Sequence, residues 1–166
     1  MFQNTESLKK AGFKGFLSVG YLRKSQLHDV PDEIGIYLIV RESEEPPVFL
    51  VKSPAGNFKG RDPSLPVEKL CQNWVEGTPV LYIGKAGDHR QNATLRKRID
   101  KYLKFGEGRP VAHWGGRLIW QVSDSERFLV CWKETPNQYP REAEKSLILQ
   151  FKRKYKGKRP FANLQD

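Results

Sequence analysis

Sulfur and imidazole are scarce in this sequence: two cysteines, one methionine and three histidines in 166 residues. Cys71 and Cys131 stand in unrelated contexts, so neither a disulfide framework nor a zinc site is indicated. His28, His89 and His113 show no metal-ligand spacing. No apolar run approaches the roughly 18 residues that a bilayer span needs. Residues 1–10 lack the apolar core of a signal peptide. These absences predict a cytoplasmic protein with no membrane partner. Internal repeats are missing too. Acids are the scarcer charge, 19 against 29 Lys and Arg, giving a net charge of +10 and a pI near 9.7. Such an excess favours a polyanionic partner, above all nucleic acid. The plain alternative is a basic surface kept for solubility.

What is present fits one domain over residues 1–166, long enough to bury a core. The hydrophobic fraction is 38% and the aromatic fraction 11%, with a mean hydropathy of −0.64. The chain centres on two short tyrosine-bearing runs, Gly35-Ile36-Tyr37 and Tyr82-Ile83-Gly84. Each lies in an apolar stretch that reads as a buried strand, Glu33–Val40 and Val80–Lys85. Side chains alternate across a strand, so Tyr37 shares a face with Gly35, and Tyr82 with Gly84. Glycine inside a strand often marks a close approach by another group. The expectation is a shallow site floored by glycine and walled by phenols.

Other elements are read from spacing. Ser7–Ala11 is a short helical candidate, and a mixed stretch runs through Tyr21 and Leu22. After the acids at 42–45 and Pro46-Pro47, Val48–Val51 reads as a return strand. Ser53–Thr78 is a surface excursion with one short helix over Pro66–Val75. Leu95, Ile99, Tyr102 and Leu103 recur at helical spacing, with Asn92 or Thr94 as cap and Gly106 as stop. Arg117–Val122 and Phe128–Trp132 read as a hairpin. Pro140 opens a last helix, Arg141–Tyr155, that Gly157 ends.

On that last helix Ala143, Leu147, Ile148, Phe151 and Tyr155 form an apolar stripe, and Glu144 falls inside it. A carboxylate there is costly unless it has a cation or metal. A salt bridge to a buried arginine would also explain it, as would proximity to the helix start. On the earlier helix Arg98 lies at the stripe's edge beside Leu95 and Tyr102, with Arg96 at the other edge. Arg98 is either a packed phosphate-binding guanidinium or an ordinary snorkelling side chain. Lys85 follows the second glycine, but a P-loop is excluded, because Pro79 and Ala86 replace its glycine and hydroxyl. Lys152, Arg153, Lys154, Lys156, Lys158 and Arg159 make a basic tail with Phe151, Tyr155 and Phe161 interleaved. That run reads as a solvated surface or as a phosphate-backbone contact.

Taken together, these residues resemble the GIY-YIG nuclease family. Gly35-Ile36-Tyr37 and Tyr82-Ile83-Gly84 match both signature triplets, and Lys85-Ala86 follows the second as in the family's repair-nuclease branch. Leu95–Ile99 with Tyr102 is similar to the arginine helix, Glu144 with Leu147-Ile148 to the glutamate helix, and Pro160–Asn163 to the closing segment. The match covers about residues 31–163. Two departures stand out: the signature tyrosines are 45 residues apart (82 − 37), which makes 41–78 an insertion, and the stretch from Gly84 to Arg98 is long through Asp88–Asn92. Insertions beside a site often carry specificity.

The resemblance implies an α/β fold, a small, mostly antiparallel sheet flanked by helices and extended by extra strands. It implies a metal-dependent endonuclease acting on phosphodiester bonds in DNA, with Mg²⁺ or Mn²⁺ on Glu144 and Arg98 at the non-bridging oxygens. Tyr37 would be the general base, with Tyr82 positioning the nucleophile, Tyr102 sharing proton transfer and Asn163 orienting the site. A free phenol has a pKa near 10, so Lys85, Arg98 and the metal would have to lower it. Lys85, Arg96, Lys152 and Arg153 would contact nucleic acid. His113, in the run His113-Trp114-Gly115-Gly116-Arg117, would assist or be structural. A module that binds nucleic acid on the same fold without cutting is the alternative. Oligomeric state and a specificity-giving protein partner stay open.

Overall fold

The computed structural model describes residues 1–87, 93–111 and 113–165. Asn92 and the stretch Asp88–Asn92 lie outside them. Five α-helices and four strands are formed among the described residues: α1 (Thr5–Lys10), β1 (Lys14–Ser18), α2 (Val19–Lys24), β2 (Gly35–Val40), α3 (Val67–Asn73), β3 (Val80–Ala86), α4 (Leu95–Gly106), β4 (Leu129–Glu134) and α5 (Pro140–Lys154). The strands make one antiparallel sheet in the order β1-β4-β2-β3. The class is therefore α/β with a small open sheet. None of the helices is long and apolar enough to cross a membrane.

The apolar run 34–40 becomes β2 because both its faces are covered. Tyr37 and Ile39 face one core with Leu95, Ile99, Tyr102, Leu103 and Phe105 of α4. Ile36, Leu38 and Val40 face another with Ala143, Leu147, Ile148 and Phe151 of α5. The sheet is thus the middle of three layers, which explains a continuous rather than alternating hydrophobic strand. Thr94 caps α4 by accepting from the Lys97 amide at 3.4 Å. Asn4 and Ser7 form a capping box that starts α1 earlier than its apolar residues indicate. Ser18 caps α2, accepting from the Tyr21 amide at 3.1 Å.

Two expected strands are corrected. Arg117–Gln121 is a 3-10 helix, not a hairpin arm. Leu118, Ile119, Trp120 and Gln121 are all buried; a strand buries such a run only as a covered inner member of the sheet, as β2 is, and this segment lies outside the sheet. Val48–Val51 forms only one bridge, Phe49 to Val122, and leaves Val48 64% and Val51 83% exposed. With 117–121 coiled, this segment has no ladder partner. The buried Gln121 amide holds it instead, donating to the Leu50 and Leu65 carbonyls at 2.8 and 2.7 Å and accepting from the Leu65 amide at 2.9 Å. β1, within a stretch without clear periodicity, pairs with β4 across an irregularity between Gly15 and Leu17.

Gly106 is the last residue of α4, and a Cβ there would lie 2.5 Å from the fully buried Trp120 ring. Alanine would gain about 1 kcal/mol of helix propensity, but forcing a rigid indole to move costs about 1–3 kcal/mol. Gly106→Ala should therefore lower the melting temperature. An unchanged or higher melting temperature would show that the 117–121 turn yields freely.

Candidate active site

Tyr37 from β2, Tyr82 from β3 and Tyr102 from α4 meet on one face of the sheet. Ring centroids are 5.9 Å apart for Tyr37–Tyr82, 6.0 Å for the stacked Tyr82–Tyr102 pair and 6.3 Å for Tyr37–Tyr102. The β2–β3 register sets Tyr37 directly across from Gly84, and a Cβ on Gly84 would lie 2.5 Å from the Tyr37 Cζ. The expected glycine floor is thus filled by the phenol itself. Gly35 serves a different contact, since its Cβ would lie 2.3 Å from the Lys133 carbonyl of β4. The open, shallow site is corrected to a packed aromatic cluster.

The segment after α4 closes over this cluster. His113 is fully buried, its Nε2 lies 3.4 Å from the Tyr37 hydroxyl and its ring centroid 4.7 Å from that of Tyr102. Its Nδ1 has no hydrogen-bond partner among the described residues. The Tyr102 hydroxyl donates to the Gly116 carbonyl at 3.1 Å. Gly116 adopts φ +74°, and a Cβ there would meet the Tyr82 ring at 3.1 Å. A Cβ on Gly115 would sit 2.9 Å from the Tyr82 hydroxyl. The two glycines let the backbone lie flat against a phenol, a signal legible in the Gly-Gly pair once Tyr82 is known to be beneath it.

Burial sets the electrostatics. It pushes the Tyr37 phenol up to about 12, opposed mainly by the Arg98 charge and by hydrogen bonding from Tyr82 and Arg98, while Glu144 adds to the rise. Tyr82 and Tyr102 are raised well above the ordinary phenol value by the same desolvation. His113 is held well below the usual imidazole value by burial, then by Arg98 and Lys101. It is neutral at pH 7. Tyr82, Tyr37 and His113 therefore lie in a file, with Tyr82 packed edge-on against Tyr37 and the neutral imidazole 3.4 Å beyond the Tyr37 hydroxyl.

Glu144 lies in the second turn of α5, too far along for the helix-start explanation, and is partly buried. Burial raises its carboxyl, offset in part by Lys85, Arg98 and Arg141. The ion pairs among the described residues include neither Glu144 nor Arg98. A structural salt bridge between them is therefore not formed, and both act on the tyrosine cluster through their charge, Arg98 lowering and Glu144 raising the Tyr37 phenol. No group of three potential ligands occurs among the described residues. One carboxylate is nevertheless adequate for Mg²⁺, which typically takes one or two together with phosphate and water. Its own desolvation, with cations nearby but none in a direct ion pair with it, fits that use.

The remaining candidates divide. Asn163 clamps the backbone next to Tyr82: its Oδ1 accepts from the Ile83 amide at 2.9 Å and its Nδ2 donates to the Ile83 carbonyl at 2.8 Å. It positions β3 and has no amide atom turned to the tyrosines. Lys85 is partly buried within the field of Glu144. Arg96 donates from Nε to the Val30 carbonyl at 2.8 Å, a tie that fixes the turn before β2. Lys152 and Arg153 lie in the last turn of α5. The tail aromatics turn inward: Phe151 and Phe161 are buried and the Tyr155 hydroxyl donates to the Phe2 carbonyl at 2.8 Å. A cavity of about 570 Å³ is lined by Arg41–Pro47, Trp74–Pro79 and Gln3–Thr5, and contains none of the candidates. Comparison with protein-family models, curated proteins and solved structures gave no match.

An acid whose folded-state pKa is raised destabilises the fold as pH climbs through that value, because the folded form holds its proton more tightly. Glu144→Gln should thus melt at or above wild type at pH 7, with the difference shrinking below about pH 4 as the carboxyl protonates in both states. A loss of about 3 kcal/mol at pH 7 would instead identify a member of a buried ion pair.

Proposed function

We propose that this chain is a metal-dependent endonuclease of the GIY-YIG type that hydrolyses phosphodiester bonds in DNA. The observation that carries the reading is the meeting of Tyr37, Tyr82, Arg98 and Glu144 around Gly84 and Lys85, with Glu144 and Arg98 unmatched by each other. Phosphodiester hydrolysis needs an activated water, stabilisation of charge on the non-bridging oxygens and a stabilised leaving oxygen. When bound on Glu144, Mg²⁺ or Mn²⁺ would supply charge neutralisation at the leaving oxygen. Arg98 supplies a planar, always-charged donor for the non-bridging oxygens. Lys85 adds positive potential beside it.

Tyr37 is the base, and its environment dictates how. At about 12 its phenol holds its proton at neutral pH. The neutral His113 imidazole, with Nε2 3.4 Å from the Tyr37 hydroxyl, orients the phenol; the phenol proton is lost to solvent, and the resulting phenolate takes one from the attacking water. The Arg98 charge, which already opposes the rise of the Tyr37 phenol, stabilises the phenolate. Tyr102 is tied to Gly116 and acts by packing, and Asn163 acts by holding β3.

The burial of all three phenols also favours a second reading, a module that binds nucleic acid without cutting. One experiment separates them. With Mg²⁺ or Mn²⁺, but not EDTA, the wild type should nick supercoiled plasmid or cleave branched oligonucleotides, and Glu144→Ala should abolish this while staying folded. Arg98→Ala should lower kcat by about 10²–10³-fold, and Tyr37→Phe and His113→Asn by about 10²-fold or more. Salt-sensitive binding without cleavage under any metal would establish the module instead.

The pH profile is a separate prediction. Since the base must lose a proton it holds tightly, kcat should climb with pH from 6 to 9, by up to about tenfold per unit. A flat profile, with chemistry still rate-limiting, would remove Tyr37 from the base role.

A further inference from the structure

Three arginines in this molecule lie over tryptophan rings, and they are not alike. The Arg23 guanidinium carbon is 5.3 Å from the Trp120 centroid and pairs with Glu107 and Glu126. Arg41 is 5.9 Å from Trp74, and its Nε donates to Asp124 at 2.9 Å. Arg117 is the closest stack, 4.5 Å from Trp114. It has no carboxylate partner among the described residues, and its buried Nε has no hydrogen-bond partner. Arg117 is half-buried, and its desolvation favours the uncharged form.

A partly desolvated cation without an anion is unfavourable on its own. The stack on Trp114 holds the guanidinium plane in place but supplies no hydrogen-bond acceptor for its N–H groups. The location narrows what the missing anion is. Arg117 follows directly on Gly115 and Gly116, which press on Tyr82, and on His113, which reaches Tyr37. The same short segment thus lines the tyrosine cluster and carries an oriented, unmatched guanidinium.

We propose that Trp114 and Arg117 form a second phosphate subsite, in which Arg117 binds a backbone phosphate of the nucleic acid flanking the one at Arg98. The proposal rests on the nucleic-acid reading above. In this arrangement Trp114 orients the guanidinium, and two of its N–H groups face one phosphate as a fork. The subsite fixes the register of the strand and carries no sequence information.

Binding in EDTA tests it without cleavage. Fluorescence anisotropy of a labelled DNA duplex across a salt series gives the slope of log K against log[salt]. Arg117→Gln should make that slope shallower by about 0.9, one phosphate contact, and weaken binding evenly across sequences. Lys10→Gln, an exposed charge on α1, should leave the slope unchanged, and Arg117→Lys should largely keep it. Free Arg117→Gln should melt no lower than wild type, because an uncompensated charge is removed. A slope equal to wild type overturns the subsite. So does a lowered melting temperature with an unchanged slope, which would make the stack purely structural. Should the wild type bind no DNA at any salt, the nucleic-acid reading itself falls. Wild-type cleavage with an unaltered Arg117→Gln slope removes the subsite alone.

Discussion

The contact between the Tyr37 ring and Gly84 is the constraint on which the rest of the molecule turns. Every other residue type has a Cβ, and the phenol leaves no space for one. The antiparallel register of β2 and β3 must therefore be the one that sets these two residues opposite each other. A slip of one residue would bring Ile83 or Lys85 across from the ring and exchange the two faces of the strand. With the register fixed, Tyr82 falls diagonally beside Tyr37, and α4 lays Tyr102 against both. The segment from His113 to Gly116 then fits over the top. Each aromatic pair contributes about 0.5–1.5 kcal/mol beyond its buried area, so the cluster is a structural centre as well as a candidate reaction centre.

The same packing creates an electrostatic tension. Three phenols and an imidazole are held neutral by burial, while Arg98 and Glu144 lie near enough to act on them without forming an ion pair with each other. Folded chains ordinarily match such charges, as this one does for Arg41 with Asp124 and for Arg23 with Glu107. The unmatched groups concentrate on the face of the tyrosines. Local rules broken together in one place, and kept elsewhere, are the usual mark of a site adapted to a ligand.

Much of this was legible in the sequence. The long apolar run of β2, the helical spacing of Leu95, Ile99 and Tyr102, and the anomalous Glu144 on the stripe of α5 each appear where they were expected. The errors share a cause. Leu118-Ile119-Trp120 has strand-like composition, but its buried run is packed as a 3-10 turn outside the sheet. Once that segment coils, Val48–Val51 keeps only the single bridge from Phe49 to Val122. The tail aromatics were read as part of a basic face, yet Phe151 and Phe161 are core residues and only the cations remain outside. β1 gave no periodic signal because Phe16, at φ +56°, breaks the alternation at its centre. The role of Gly84 could not be read without register, since a strand sequence does not say which residue lies across from it.

Asn163 has a bearing on the order in which the molecule comes together. It closes the outer edge of β3 at Ile83, 80 residues earlier in the chain. Until residue 163 has been synthesised, that peptide group has only water as its partner on that side, and Tyr82 hangs from a strand with one free margin. The sheet can assemble from within, yet its tyrosine-bearing rim is latched late. The outer edge of β3 is thus closed only once nearly all of this sequence has been made, by the Asn163 side chain on Ile83 and the Ala162 amide on the Leu81 carbonyl.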